Sequence, residues 1–237
     1  MTDSYPHAII FDLDDTILDT TLSADRLWSR AAEHFARHAG LEAQAFDDQM
    51  KVSREWFWSD PQRNLAGRMD LYKARAGCVE HALKTLGAPD PVLATTIADW
   101  FTERRIPEMR PFEGAIEALR SLKNTGVRLG LISNGKGETQ RDKVIRFGLE
   151  PLFDCILLEG EFGIGKPDRR VFEHALSELN ARPCDTWMVG DNLHWEVAAP
   201  QALGMKGVWV DWKGTGLPAD CGVVPNQIIR SIAELVV

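Results

Sequence analysis

Apolar positions along the chain fall into two periods. Ala8-Ile9-Ile10-Phe11 is a short unbroken apolar run, the pattern of a strand buried on both faces, and it stops at Asp12 and Asp14. Val127–Ile132, Cys155–Leu158, Thr186–Val189 and Val208–Val210 repeat that pattern, and the first and third stop at Ser133-Asn134-Gly135 and Gly190-Asp191-Asn192. Between them the spacing changes to that of a helix. Ile116, Leu119 and Leu122 precede Gly126, a C-terminal cap, and Val171, Phe172, Ala175, Leu176 and Leu179 form a second stripe. Strands alternating with helices predict βαβ units and a doubly wound, Rossmann-like α/β parallel sheet.

Residues 20–109 break this alternation. They offer no strand pattern but carry helical runs such as Leu27, Trp28, Ala31, Ala32 and Phe35, with Pro107 and Pro111 flanking the return. The expected organisation is therefore a core made of 1–19 and 110–237, with a helical domain at 20–109 inserted after the first strand. Trp28, Trp56, Phe57, Trp58, Trp100 and Phe101 concentrate aromatics in the insertion. Most should form its core. Consecutive residues on a helix point in different directions, so one of Trp56, Phe57 and Trp58 is expected to leave that core and face substrate.

Ligands of parallel sheets bind beyond the carboxyl ends of the strands. Asp12, Ser133 and Asp191 each follow such an end, so three reactive side chains should meet at one sheet edge. Asp12 and Asp14 put two carboxylates where burial is costly without a cation or a hydrogen-bond network, and Thr16 is expected to satisfy backbone groups of the turn. Charge sharpens the picture. The net charge is −8; residues 20–108 contribute −1 and the remainder −7. An acidic body argues against nucleic acid or an anionic membrane as partner, and handling an anionic substrate there calls for a divalent cation. Cys78, Cys155, Cys184 and Cys221 are widely spaced, which indicates neither a zinc site nor a disulfide framework. With no long apolar stretch and no signal-peptide pattern, a cytoplasmic protein is expected.

Asp12-Leu-Asp14-Asp-Thr16, Ser133-Asn-Gly135, Lys166-Pro and Gly190-Asp191, in that order, resemble the four motifs of the haloacid dehalogenase (HAD) superfamily. The resemblance covers nearly the whole chain, and it places the insertion where the family carries a C1-type helical cap. It implies Asp12 as nucleophile, Asp14 as general acid and then base, and Lys166 as the cation offsetting charge on Asp12 and the phosphoryl group. Ser133 and the Asn134 N–H would bind phosphate oxygens. Mg²⁺ would be held by Asp12, the Asp14 backbone carbonyl and Asp191. The proton Asp14 needs before attack should be favoured by its carboxylate neighbours. Relatives often carry aspartate where this chain has Glu196, which either serves the metal's surroundings, orients Lys166, or is an ordinary helix-face glutamate.

Asp14 resembles the phosphatases rather than the dehalogenases, which lack that acid. Ser133 through Gln140, with Lys143 and Gly148-Leu149, is similar to pyrimidine 5′-nucleotidases and N-acylneuraminate-9-phosphatases. The implied activity is magnesium-dependent hydrolysis of a small phosphomonoester, a nucleotide or sugar phosphate, by a monomer or homodimer. The alternatives are a dehalogenase-type hydrolase and a non-enzymatic binding module of this fold. Arg54, Arg63 and Arg68 are candidates for contact with a second anionic group of the substrate.

Overall fold

The computed structural model describes residues 5–236. Strand β1 is Ala8–Phe11 and β2 is Leu18–Asp19. Helices α1 (Thr21–Phe35), α2 (Ala43–Ser59), α3 (Pro61–Met69), α4 (Leu71–Thr85) and α5 (Pro91–Glu108) follow. The chain continues through β3 (Arg110–Pro111), α6 (Ala115–Asn124), β4 (Arg128–Ser133), α7 (Gly137–Arg146), β5 (Cys155–Leu158) and the single turn α8 (Glu159–Phe162). It ends with α9 (Arg169–Glu178), β6 (Thr186–Gly190), a wide π-helical turn at Leu193–Ala198, α10 (Ala199–Gln201), β7 (Lys206–Val210) and β8 (Gln227–Ile229). Contacts group the chain up to Asp19 with the chain from Pro111 on, and gather Thr20–Arg110 into a second unit.

The first unit is built on a parallel sheet of order β5-β4-β1-β6-β7-β8. Ile10 pairs with Gly130 on one side and Met188 on the other, so β1 is central. Ala8, Ile10, Ile132 and Met188 share one face and pack on Val171, Phe172 and Ala175 of α9. Ile9 and Phe11 point the opposite way by the strand period and are equally buried, so both faces are covered. That is why these strands read as unbroken apolar runs. The chain passes from β1 outward through β4 and β5, then returns to β6 on the other flank of β1. The order reverses there, and β4, β1 and β6 end side by side, one strand spacing apart. Strand β8 has only three residues and no apolar run of its own, and the sequence pattern does not announce it.

The second unit is helical. Aspartates at its helix starts do what the sequence chemistry asks: Asp60, Asp70 and Asp90 accept from the N–H three residues on, and Pro61 and Pro91 occupy first-turn positions with no N–H to satisfy. Its own core gathers Leu27, Trp28, Phe46, Met50, Val79, Ile97 and Phe101, with Trp28 and Phe101 stacked at 3.9 Å. Pro107 falls in the last turn of α5 rather than beyond it. Among the described residues no helix is long and apolar enough to cross a membrane.

Candidate active site

Asp12 is the first residue past β1, yet its N–H still donates to the Val189 carbonyl on β6, at 2.9 Å. The backbone under its side chain is therefore as fixed as the sheet. Its carboxylate is buried and accepts from Lys166 Nζ at 2.5 Å, and the same ammonium donates to Glu196 Oε1 at 2.7 Å. Lys166 is 1% exposed. A two-point clamp places it: Asn134 Oδ1 accepts from the Lys166 N–H at 2.8 Å and Asn134 Nδ2 donates to the Lys166 carbonyl at 2.7 Å. The sequence reading gave Asn134 only a backbone role toward phosphate and missed this side-chain one. Both partners lie in turns, and nothing in their spacing joins residues 32 apart.

Glu196 is not a helix-face glutamate. It is buried, its Oε2 accepts from the Asn192 N–H at 2.7 Å, and its Oε1 holds Lys166. The π-helical turn brings this about. Asn192 Oδ1 caps it by accepting from the N–H groups of His194 and Trp195, and the turn curls Glu196 back over Gly190. A Cβ at Gly190 would lie 2.1 Å from Glu196 Oε2, so only glycine admits the approach. Asp191 is held through its backbone, whose carbonyl accepts from Trp209 Nε1 at 2.7 Å.

Asp12, Asp191 and Glu196 each offer an oxygen within 4.8 Å of the others. With Lys166 as their central cation, the group is short of positive charge. Burial and the Glu196 charge push the Asp12 carboxyl up to about 8 despite Lys166. Burial, Glu196 and Asp12 likewise raise Asp191 well above the usual carboxylate range. Burial alone would lower Lys166, but Asp12 and Glu196 outweigh it and hold the ammonium charged. A hard, oxygen-only donor set with surplus negative charge suits a small divalent cation.

Asp14 lies in a tight loop in which Asp15 takes φ +59° and its N–H donates to the Leu18 carbonyl. The expectation that carboxylate neighbours favour a proton on Asp14 leaves out its cation and amide partners. Both Asp14 oxygens meet Lys143 Nζ, at 2.7 and 2.8 Å, and Oδ2 also accepts from Gln140 Nε2 at 2.9 Å. The reason is topological: α7 follows β4, next to β1, and carries these two side chains back over the sheet edge. The expectation for Thr16 is corrected. Its Oγ1 is buried and finds no hydrogen-bond partner among the described residues, because Leu18 and Leu13 close the turn backbone to backbone. Ser133 is the last residue of β4 rather than the first beyond it, and its buried Oγ meets Gln140 Nε2 at 2.5 Å. Glu159 braces the loop behind it by accepting from the Gly135 N–H at 2.8 Å.

Trp56, Phe57, Trp58, Arg54 and Arg63 have partners inside their own unit. Trp56 is 40% exposed, but His81 stacks on it at 3.9 Å and the Arg63 guanidinium lies 4.0 Å from its ring centre. Two planar groups that close cannot share one face, so both faces of Trp56 are covered. Phe57 packs toward Gly67 and Gly77, and Trp58 meets Phe57 edge-on at 5.2 Å. Arg54 pairs with Asp25 at 2.6 Å, and Arg63 donates to the Trp56 carbonyl at 2.6 Å. Arg68 has its Nε buried without a hydrogen bond, and its side chain interacts with its surroundings in other ways.

Comparison with known proteins agrees with this architecture. Residues 6–204 match the model of the haloacid dehalogenase-like hydrolases. The chain is 30% identical over 229 residues to the glyceraldehyde 3-phosphate phosphatase of Methanocaldococcus jannaschii, covering 96% of this chain and 94% of that one. It is 29% identical over 235 residues to the N-acylneuraminate-9-phosphatase of Rattus norvegicus, covering 96% and 91%. In fold it resembles a HAD hydrolase of Bacillus subtilis solved with bound magnesium, at TM-score 0.74 and 23% identity over 98% of this chain and 97% of that one. With its motifs on adjacent strand ends and a family match spanning most of its length, the chain belongs to the haloacid dehalogenase-like hydrolases.

Proposed function

We propose that the protein is a magnesium-dependent phosphatase that hydrolyses a small phosphomonoester through a phosphorylated Asp12. One observation carries this reading: Asp12, fixed just past the end of the central strand, touches Lys166 and shares a 4.8 Å oxygen cluster with Asp191 and Glu196. The curated relatives named above are phosphatases of two different phosphate esters, which supports the reaction class and leaves the substrate open.

Asp12 Oδ attacks phosphorus as the bond to the leaving oxygen breaks, and Asp14 gives that oxygen its proton. Water then attacks phosphorus with Asp14 taking its proton, and the bond to Asp12 breaks to release inorganic phosphate. Ser133 Oγ and the Asn134 N–H hold phosphoryl oxygens. Lys166 offsets the charge carried by Asp12 and the phosphoryl group together. Asp12, Asp191 and the Asp14 carbonyl would hold Mg²⁺, with Glu196 beside them; the ion supplies charge neutralisation at the phosphate oxygens. Selectivity belongs to the helical unit Thr20–Arg110, acting as a cap, and a nucleotide or sugar phosphate is the proposed substrate class.

The test is a panel of phosphomonoesters with and without magnesium, run on the wild type and Asp12→Asn. A neutral amide cannot form the acyl phosphate, so the variant should lose several orders of magnitude in kcat. Retention of more than about a tenth, under roughly 1.4 kcal/mol, rules Asp12 out as nucleophile.

A further inference from the structure

Gln140 and Lys143 sit three residues apart on α7, on one helix face, and both are buried. A buried lysine on a short polar helix is costly unless its charge is used. Here it is spent on a single group, since Nζ bridges both oxygens of Asp14. Gln140 has three acceptors within reach of its amide nitrogen: Asp14 Oδ2 at 2.9 Å, Ser133 Oγ at 2.5 Å and the Asn134 carbonyl at 3.0 Å. The opposite orientation of the amide would set its oxygen against a carboxylate and a carbonyl, so the chemistry itself selects the nitrogen. Because Ser133 Oγ accepts from Gln140, its own hydrogen is left to donate.

We propose that Gln140 and Lys143 are positioning residues: together they fix the rotamer of Asp14 against the leaving group and, through Gln140, set the Ser133 hydroxyl to donate to the phosphoryl group. This rests on the phosphatase reading above. Neither residue itself gives or takes a proton or binds the ester. Their effect passes through Asp14, which must hold a proton in line with the departing oxygen for the phosphorus–oxygen bond to break without expelling a bare alkoxide. A two-contact clamp achieves that alignment from within the core.

Leaving-group dependence reads this directly. An ester whose leaving group is a weak base, p-nitrophenyl phosphate, needs little proton donation, while phenyl and benzyl phosphate need progressively more. In Lys143→Met and Gln140→Leu, the ratio of kcat/KM for p-nitrophenyl phosphate to that for benzyl phosphate should rise about 10- to 100-fold, less than the roughly 10²- to 10⁴-fold of a whole general acid, because Asp14 itself remains. Asp14→Asn should raise the same ratio at least as far, and adding Lys143→Met to it should raise the ratio no further. Lys143→Arg, which keeps the cation and a donor fork, should recover part of the ratio. Remaining turnover of p-nitrophenyl phosphate certifies a folded site in each variant; should one of the two lose it altogether, the other carries the test.

A merely structural role would slow every ester in proportion and leave the ratio unchanged, which overturns the proposal. An additive effect in the Asp14→Asn background also overturns it. Failure of the underlying reading looks different: the wild type itself would then turn over none of the three esters in magnesium.

Discussion

Lys166→Met tests the electrostatic centre of the site most directly. The substitution keeps length and apolar stem and removes only the ammonium. In the native site that ammonium contacts Asp12 at 2.5 Å and Glu196 at 2.7 Å, and all three groups are buried. Removing one partner of a buried ion pair costs about 3–5 kcal/mol, because the other charge is left uncompensated. For a chain of this size each kcal/mol is worth about 2–4 °C, so the metal-free variant should unfold about 6–20 °C below wild type. The deficit must depend on pH. Burial and neighbouring charge already raise Asp12 to about 8, and loss of Lys166 raises it further. An acid whose folded pKa is raised contributes stability that is complete at low pH and lost as pH rises through that pKa. Protonation therefore relieves the variant in acid, and the gap should be small near pH 5 and largest near pH 9. Thermal unfolding of chelated wild type and variant across that range measures it. A difference under about 2 °C at pH 9, worth less than about 1 kcal/mol, would refute the argument that Lys166 neutralises this cluster.

Two further outcomes follow from the same geometry. Magnesium should stabilise the wild type by about 2.7 kcal/mol at a hundredfold excess over Kd, seen as a raised unfolding temperature, and more strongly as pH rises toward 8, because binding must displace protons from Asp12 and Asp191; Asp191→Asn should abolish the shift, and a pH-independent shift would contradict proton-coupled binding. Gly190→Ala should cut kcat at least tenfold, by about 1.4 kcal/mol or more, since its Cβ would displace Glu196, and unaltered kcat would mean Glu196 does not hold Lys166 in place during turnover.

Much of the core was legible because a parallel sheet buried on both faces leaves an unmistakable mark. Ala8–Phe11 and Cys155–Leu158 read as strands since every side chain there must be apolar, whichever way it points. Asp12 and Asp191 stood out because a carboxylate directly after such a run cannot leave the sheet edge. Strand β8 is short and flanked by polar residues, so it lacks that mark. Glu196 carried three readings in sequence, and a helical period could not choose among them, because the turn that holds it does not have that period.

Order and identity of the motif residues, and with them the family and its sheet, were therefore determined by the sequence alone. Tertiary structure decided which side chains serve one another. Lys143 reaches Asp14 across 129 positions, and Asn134 grips Lys166 across 32. It also decided that both faces of Trp56 are occupied by His81 and Arg63. Periodicity along a chain records only how often a residue must face an apolar interior. Partnership between polar groups depends on strand order and on the course of the connecting helices, which bring distant positions within 3 Å and leave no local signature at either end.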